Sequence, residues 1–243
     1  MASDFLRIFL LIIFFNASFS NFLSKSMFSK YKLGYMQING KILRKIINDK
    51  SFYIIDTREI TTIALGYIPN SLIVPSSMFS WLYTVIPEMA KVVLITDEQN
   101  RDNTIDSFIS LQKYELYGYC IYDKIIQTSS FNIQTIEYDP NTYDSIKTIV
   151  DNNENIIDIR ENKEYKETGV IKQAKLIPLS TFQNDYTNIP KEGNVYVFCK
   201  SGARAVVGMS FAKRAGYTNK FIIMKGGMNK AIEEKYPLVP YEG

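Results

Sequence analysis

Val195-Tyr196-Val197-Phe198-Cys199-Lys200-Ser201-Gly202-Ala203-Arg204 decides how this chain is read. Val195 to Phe198 is a short apolar run of the kind that forms a buried strand. From Ala205 to Arg214, small and apolar residues gather on one side of an expected helix. Cys199 therefore stands at the end of a strand, on a loop that opens a helix. Backbone N–H groups and the helix dipole favour an anion at such a place. The same environment makes a thiolate available as nucleophile. Ser201 and Gly202 keep the loop tight, so its N–H groups can turn inward around a small anionic group. The competing reading is an ordinary buried thiol, and a glycine and an arginine within the same short loop argue against it.

Composition narrows the chemistry. The 243 residues carry a formal net charge of +3, with 46% hydrophobic and 22% charged residues, as in ordinary globular proteins. That charge is too small, and too scattered, to argue for a nucleic-acid partner. There is no histidine, which excludes Cys-His and Ser-His-Asp catalysis and histidine-containing metal sites. Only Cys120 and Cys199 are present, too few for a thiolate-rich zinc site or a disulfide framework. Cys120 lies in the apolar run Tyr117-Gly118-Tyr119-Cys120-Ile121-Tyr122 and reads as a packed core thiol. A single bridge between the two cysteines stays open at this point, although it would consume the nucleophile.

The first twenty residues read as a leader. Arg7 precedes the apolar stretch Ile8 to Phe15, and Ala17-Ser18-Phe19-Ser20 offers small residues for cleavage after Ser20. The pattern is that of a secretory signal peptide, too short to span a bilayer. Export to a periplasm or the cell exterior is the expectation, with no stable membrane span after cleavage. The basic stretch Lys25, Lys30, Lys32 leaves an organelle leader as the alternative.

The rest of the chain repeats itself. Ile54-Ile55-Asp56-Thr57-Arg58-Glu59 recurs as Ile156-Ile157-Asp158-Ile159-Arg160-Glu161, and Gly66-Tyr67-Ile68 as Gly169-Val170-Ile171. Pro75 matches Pro178, Phe79 matches Phe182, Val92 matches Val195, and Arg101 falls on Arg204. The repeat implies two homologous domains, over residues 36–135 and 141–243, joined by a linker at Tyr138-Asp139-Pro140-Asn141. Short apolar strands alternating with helical segments argue for parallel α/β sheets covered on both faces. In such sheets, sites form beyond the carboxyl ends of the strands, where Cys199, Asp158 and Arg160 all fall.

These motifs resemble the rhodanese family of sulfurtransferases, in a tandem two-domain arrangement. Asp158-Ile159-Arg160, Glu164-Tyr165, Gly169-Val170-Ile171, Ile177-Pro178, the Cys199–Arg204 loop and Lys225-Gly226-Gly227-Met228 follow the family's order. Val170 and Gln173 depart from it, standing where a histidine and a glycine are usual. The resemblance implies two three-layer α/β/α domains with parallel central sheets. It also implies a reaction without cofactor or metal, in which Cys199 takes the outer sulfur of a thiosulfate-like donor as a persulfide. A thiol or cyanide-like acceptor, or a partner protein, then removes that sulfur. Lys200, Ser201, Gly202, Ala203 and Arg204 are expected to bind substrate. Arg204 is alternatively a structural residue folded onto a carboxylate, and Asp158 and Arg160 chiefly stabilise the fold. In the first repeat the loop reads Thr96-Asp97-Glu98-Gln99-Asn100-Arg101, with no nucleophile and two repelling acids. That domain is expected to be inactive. Two other readings remain: an exported persulfide carrier or sensor that docks through the first domain, and a Cys-dependent phosphatase. The phosphatase loop has one residue more between cysteine and arginine than Cys199 and Arg204 allow.

Overall fold

Ile54 and Ile55 are both fully buried although they are neighbours on β1 (Phe52–Asp56), as a strand covered on both faces requires. The computed structural model describes residues 35–243, so the expected leader 1–20 lies outside the described residues. Among the described residues, no helix is long and apolar enough to cross a membrane.

β1 pairs in parallel with β2 (Leu72–Ile73) and β3 (Lys91–Thr96), and β3 with β4 (Glu115–Ile121), giving the order β2-β1-β3-β4. The helices of this lobe are α1 (Gly40–Ile46), α2 (Ile60–Ile63), α3 (Arg101–Ser110) and α4 (Tyr122–Thr128). Ile54, Val93 and Ile95 cluster with Leu43 of α1 and Ile125 of α4. Ile55, Val92 and Leu94 cluster with Ile105 and Phe108 of α3. The alternation of buried side chains along β1 and β3 thus produces three layers.

The second lobe repeats this plan. It holds β5 (Glu137–Asp139), β6 (Asn155–Asp158), β7 (Lys175–Leu176), β8 (Val195–Phe198) and β9 (Phe221–Met224) in the order β5-β9-β8-β6-β7, all parallel. Its helices are α5 (Tyr143–Asp151), α6 (Asn162–Thr168), α7 (Phe182–Asp185), α8 (Ala203–Arg214) and α9 (Gly227–Glu233). Strand for strand, β7-β6-β8-β9 repeats β2-β1-β3-β4, and β5 adds an edge. On one face Ile156, Phe198 and Met224 meet Ile146 and Ile149 of α5 and Met228 of α9. On the other, Ile157, Val197 and Ile223 cluster with Ala205, Val206 and Met209 of α8.

One expectation needs correcting. The segment read as a linker is part of the second sheet: Glu137–Asp139 pairs with Ile222–Met224, and Asn141 is wholly buried. Glu137 and Tyr138 are exposed on this edge strand, so no hydrophobic alternation announces it.

The two lobes share one hydrophobic cluster, which holds Ile55 and Leu94 together with Ile157 and Val197. Helix α8 also covers the β2 edge of the first sheet. The Ile73 N–H donates to Ser210 Oγ at 2.9 Å, and Arg214 donates to the carbonyl of Asn70 at 3.0 Å. An edge covered in this way cannot pair with another chain.

Candidate active site

Strand β8 ends at Phe198, and the chain turns through Cys199–Gly202 into α8. Gly202 caps the helix at φ 103°, a left-handed conformation that disfavours any residue with a Cβ. This conformation aims its own N–H back into the loop, where it donates to Cys199 Sγ at 3.0 Å. Cys199 is fully enclosed, while Lys200 and Ser201 are exposed and Ala203 and Arg204 are half-buried. The sulfur therefore sits at the amino end of a twelve-residue helix with an N–H already directed at it.

The loop is pinned from behind by a second turn. Gly226 and Gly227 both have positive φ, and a Cβ on Gly227 would stand 2.2 Å from the Cys199 carbonyl oxygen. The Met228 N–H donates to the Cys199 carbonyl at 2.7 Å, and the Asn229 N–H to the Lys200 carbonyl at 3.0 Å. With those carbonyls held outward, the peptide groups that follow can present N–H to the sulfur.

Arg204 is half-buried and turned onto a carboxylate. It forms a two-pronged bond to Glu164 of α6, at 2.6 and 2.7 Å, and lies 5.4 Å from the ring of Trp81 in the first lobe. Burial works against the Arg204 charge, but the bonds to Glu164, and then the charge on Cys199, hold its guanidinium above the ordinary arginine value. Glu164 is itself fixed by accepting from the Glu161 N–H at 2.9 Å, one half of a capping box at the start of α6. Its partnership with Arg204 escaped sequence reasoning, although Glu161 and Glu164 carry the capping-box spacing that could have drawn attention to it.

Asp158 and Arg160 lie behind the loop. Their side chains are 0% and 2% exposed, joined at 2.7 Å, and Arg160 also donates to the carbonyl of Gly169 at 2.8 Å. The Tyr165 hydroxyl donates to the Asp158 carbonyl at 2.8 Å. Burial pushes the Asp158 carboxyl up from its usual range, and the bonds from Arg160 offset only part of that. Val170, in the place of the usual histidine, is buried and bridges to Val239, well occupied by packing.

The corresponding place in the first lobe is built differently. Thr96, on the strand end, is buried, and its hydroxyl has only long contacts, 3.4 Å to the Asp97 carbonyl and 3.5 Å to Thr104. A cavity of about 260 Å³ opens there, lined by Thr57, Thr96, Asp97, Asn100, Thr104 and other residues. Arg58 is committed to Asp56 and to the Gly66 carbonyl, and Arg101 to Asp102 and Glu98. Cys120 is enclosed by apolar side chains, and burial pushes its thiol up to about 12.

Fold and site together define an α/β protein with one cysteine held at a strand end, on a tight loop that opens a helix and aims an N–H at its sulfur. A family model for the rhodanese-like domain matches residues 142–234. A rhodanese domain-containing protein of Drosophila melanogaster is 30% identical over 108 residues, covering 39% of this chain and 96% of that protein. A sulfurtransferase of Allochromatium vinosum is 28% identical over 88 residues, covering 36% of this chain and 80% of the relative. The crystal structure of a thiosulfate sulfurtransferase from Pseudomonas aeruginosa aligns at 14% identity with a TM-score of 0.36, over 84% of this chain and 43% of that one. The chain belongs to the rhodanese-like family, through its second lobe.

Proposed function

We propose that this protein is a rhodanese-type sulfurtransferase that carries a sulfane sulfur on Cys199. The observation that carries this reading is the N–H of Gly202 aimed at the Cys199 sulfur, within the lobe that matches the family. The sulfurtransferase name of the Allochromatium relative supports the same class. In the forward step, the Cys199 thiolate attacks the outer sulfur of a thiosulfate-like donor. A new S–S bond forms to Cys199 as the donor's S–S bond breaks, and sulfite leaves with its electron pair. A thiophile such as cyanide then attacks the outer persulfide sulfur. The C–S bond forms, the persulfide S–S bond breaks, and the thiolate returns while thiocyanate departs.

Neither step needs a general base, because the loop N–H groups and the α8 dipole stabilise the thiolate and the persulfide anion. Exposed Lys200 draws the donor dianion in. Arg204 braces the loop through Glu164 with two of its N–H groups, and the four residues between Cys199 and Arg204, one fewer than in a phosphatase loop, weigh against phosphatase chemistry. The first lobe is read as a degenerate rhodanese-like domain, supported by the shared strand order and the Thr96 strand end. Export, with removal of residues 1–20, completes the reading and rests on the sequence alone.

The test is thiocyanate formation from thiosulfate and cyanide by chain lacking the first twenty residues. Wild type is expected to turn over, and Cys199→Ser to lose at least about a thousandfold, the scale for losing a nucleophile. Activity surviving in Cys199→Ser removes the assignment. A stable persulfide on Cys199 in the mass spectrum, with negligible turnover, replaces the enzyme by a carrier that serves a protein acceptor.

A further inference from the structure

Asn141 is fully buried in the second lobe, and no part of the reaction described above uses it. Its backbone takes φ 60°, in the left-handed region that asparagine tolerates better than most residues. Its N–H donates to the Asp139 side chain at 2.7 Å, which fixes the turn that leaves β5. The side-chain Nδ2 donates to the carbonyl of Gly227 at 2.6 Å and to that of Lys225 at 3.2 Å. Both partners are carbonyl oxygens, so only a donor fits there. The other amide atom, Oδ1, is buried without a partner. An orphan acceptor is a cost that native folds seldom carry, and here it accompanies a bridge across one particular turn.

That turn is the one behind the cysteine. Gly227 lies against the Cys199 and Lys200 backbone, and the two N–H groups after it hold the Cys199 and Lys200 carbonyls. A contiguous series of contacts therefore runs from the Asn141 amide, through Gly226-Gly227, to the peptide groups beside Sγ. We propose that Asn141 is a positioning residue for the Cys199 loop: its amide braces the glycine turn and so keeps the Gly202 N–H directed at the sulfur. The inference deepens the sulfurtransferase reading and rests on it for its effect on turnover.

Asn219 supplies a matched control. It is also buried with an unpartnered Oδ1, but its Nδ2 donates to the Gly193 carbonyl at 2.9 Å, before the amino ends of β8 and β9. The experiment compares Asn141→Asp, Asn141→Gly and Asn219→Asp in the full chain. Asn141→Gly keeps the left-handed backbone accessible while removing the amide, and so remains informative if Asn141→Asp does not fold. Two readouts are taken: the pH dependence of Cys199 alkylation by iodoacetamide, followed by mass, and kcat and KM for thiosulfate. Both Asn141 variants are expected to move the alkylation profile to higher pH. They should also lower kcat by about tenfold to a hundredfold with a smaller change in KM, the scale for misplacing a reacting group. Asn219→Asp should lower the melting temperature and leave the profile in place. The inference is overturned if folded Asn141 variants keep the wild-type profile, or if Asn219→Asp moves it equally. Alkylation does not depend on sulfur transfer. An inactive wild type would therefore count against the proposed reaction and still leave the role of Asn141 decided by the profile.

Discussion

The two lobes differ least where the fold is held and most at the loop for which sulfur transfer is proposed. Arg58 donates to Asp56 and to the Gly66 carbonyl at 2.7 and 2.8 Å, and Arg160 does the same with Asp158 and the Gly169 carbonyl at the same distances. Each arginine ties the end of a central strand to the glycine that follows the next helix. At the loop the likeness ends. Gln99 stands where Gly202 takes φ 103°, so the first lobe cannot readily place an N–H beneath its strand end. Thr96 replaces Cys199, Asp97 replaces Lys200, and Arg101 pairs with its neighbours Glu98 and Asp102 on the surface instead of reaching across to another helix. A buried ion pair is costly to lose one partner at a time, so it persists whether or not the lobe reacts. A left-handed glycine and an exposed lysine add little to the fold, and nothing in the packing of the first lobe demands them.

The largest effects are expected at the shared pairs. Asp56→Ala and Asp158→Ala each leave a buried guanidinium without its carboxylate, and each is expected to cost about 3–5 kcal/mol in denaturant unfolding. Equal losses mean the pairs serve the same purpose in both lobes. A loss confined to Asp158→Ala would show that the first lobe does not depend on its pair.

A smaller effect is expected at Glu164, which has no counterpart bond in the first lobe. Burial pushes its carboxyl up, but the bonds from Arg204 and from the Glu161 N–H outweigh burial and hold it below its ordinary value of 4.5. A depressed carboxylate adds stability above its unfolded pKa and loses it as the pH falls through the folded one. Glu164→Gln should therefore cost about 1–2 kcal/mol at neutral pH, less than a fully buried pair because water reaches both side chains. The penalty should shrink once the pH drops below 4.5, and urea unfolding at both pH values checks the sign. A penalty that grows in acid contradicts the assigned role.

The smallest change is expected from a graft. Thr96→Cys in a Cys199→Ser background should give no thiocyanate above the parent, since Gln99 supplies no left-handed turn and Asp97 and Glu98 repel the donor. Recovered activity would mean that the cysteine alone had been lost from the first lobe, and that its loop still works.

How far the site could be read in advance varied by residue. Cys199 and the loop that follows were legible because strand, glycine and helix are all local features, written within ten residues. The paired Asp-x-Arg motifs were legible because they occur twice. Glu164 was visible only as part of a motif, and its bond to Arg204 spans forty positions that no local pattern connects. Asn141 carries no signal of its place, because Asp139-Pro140-Asn141 has the composition of a turn and a three-residue edge strand with two exposed residues has no period to detect.

The chain alone was enough to specify the parallel α/β plan, the place of the proposed nucleophile Cys199 and the absence of histidine. Apolar period, glycine positions and residue type are properties of the chain that folding does not need to reveal. What holds the Cys199–Arg204 loop in place emerged on folding. Folding brings the Gly226-Gly227 turn, with the Asn141 amide bonded to it, and the Glu164 carboxylate to that loop from distant parts of the chain, and sets Trp81 of the other lobe beside Arg204. Hydrogen bonds and close packing are short-ranged. Their partners are chosen by where strands end in space, and the chain records that only after its sheets are built.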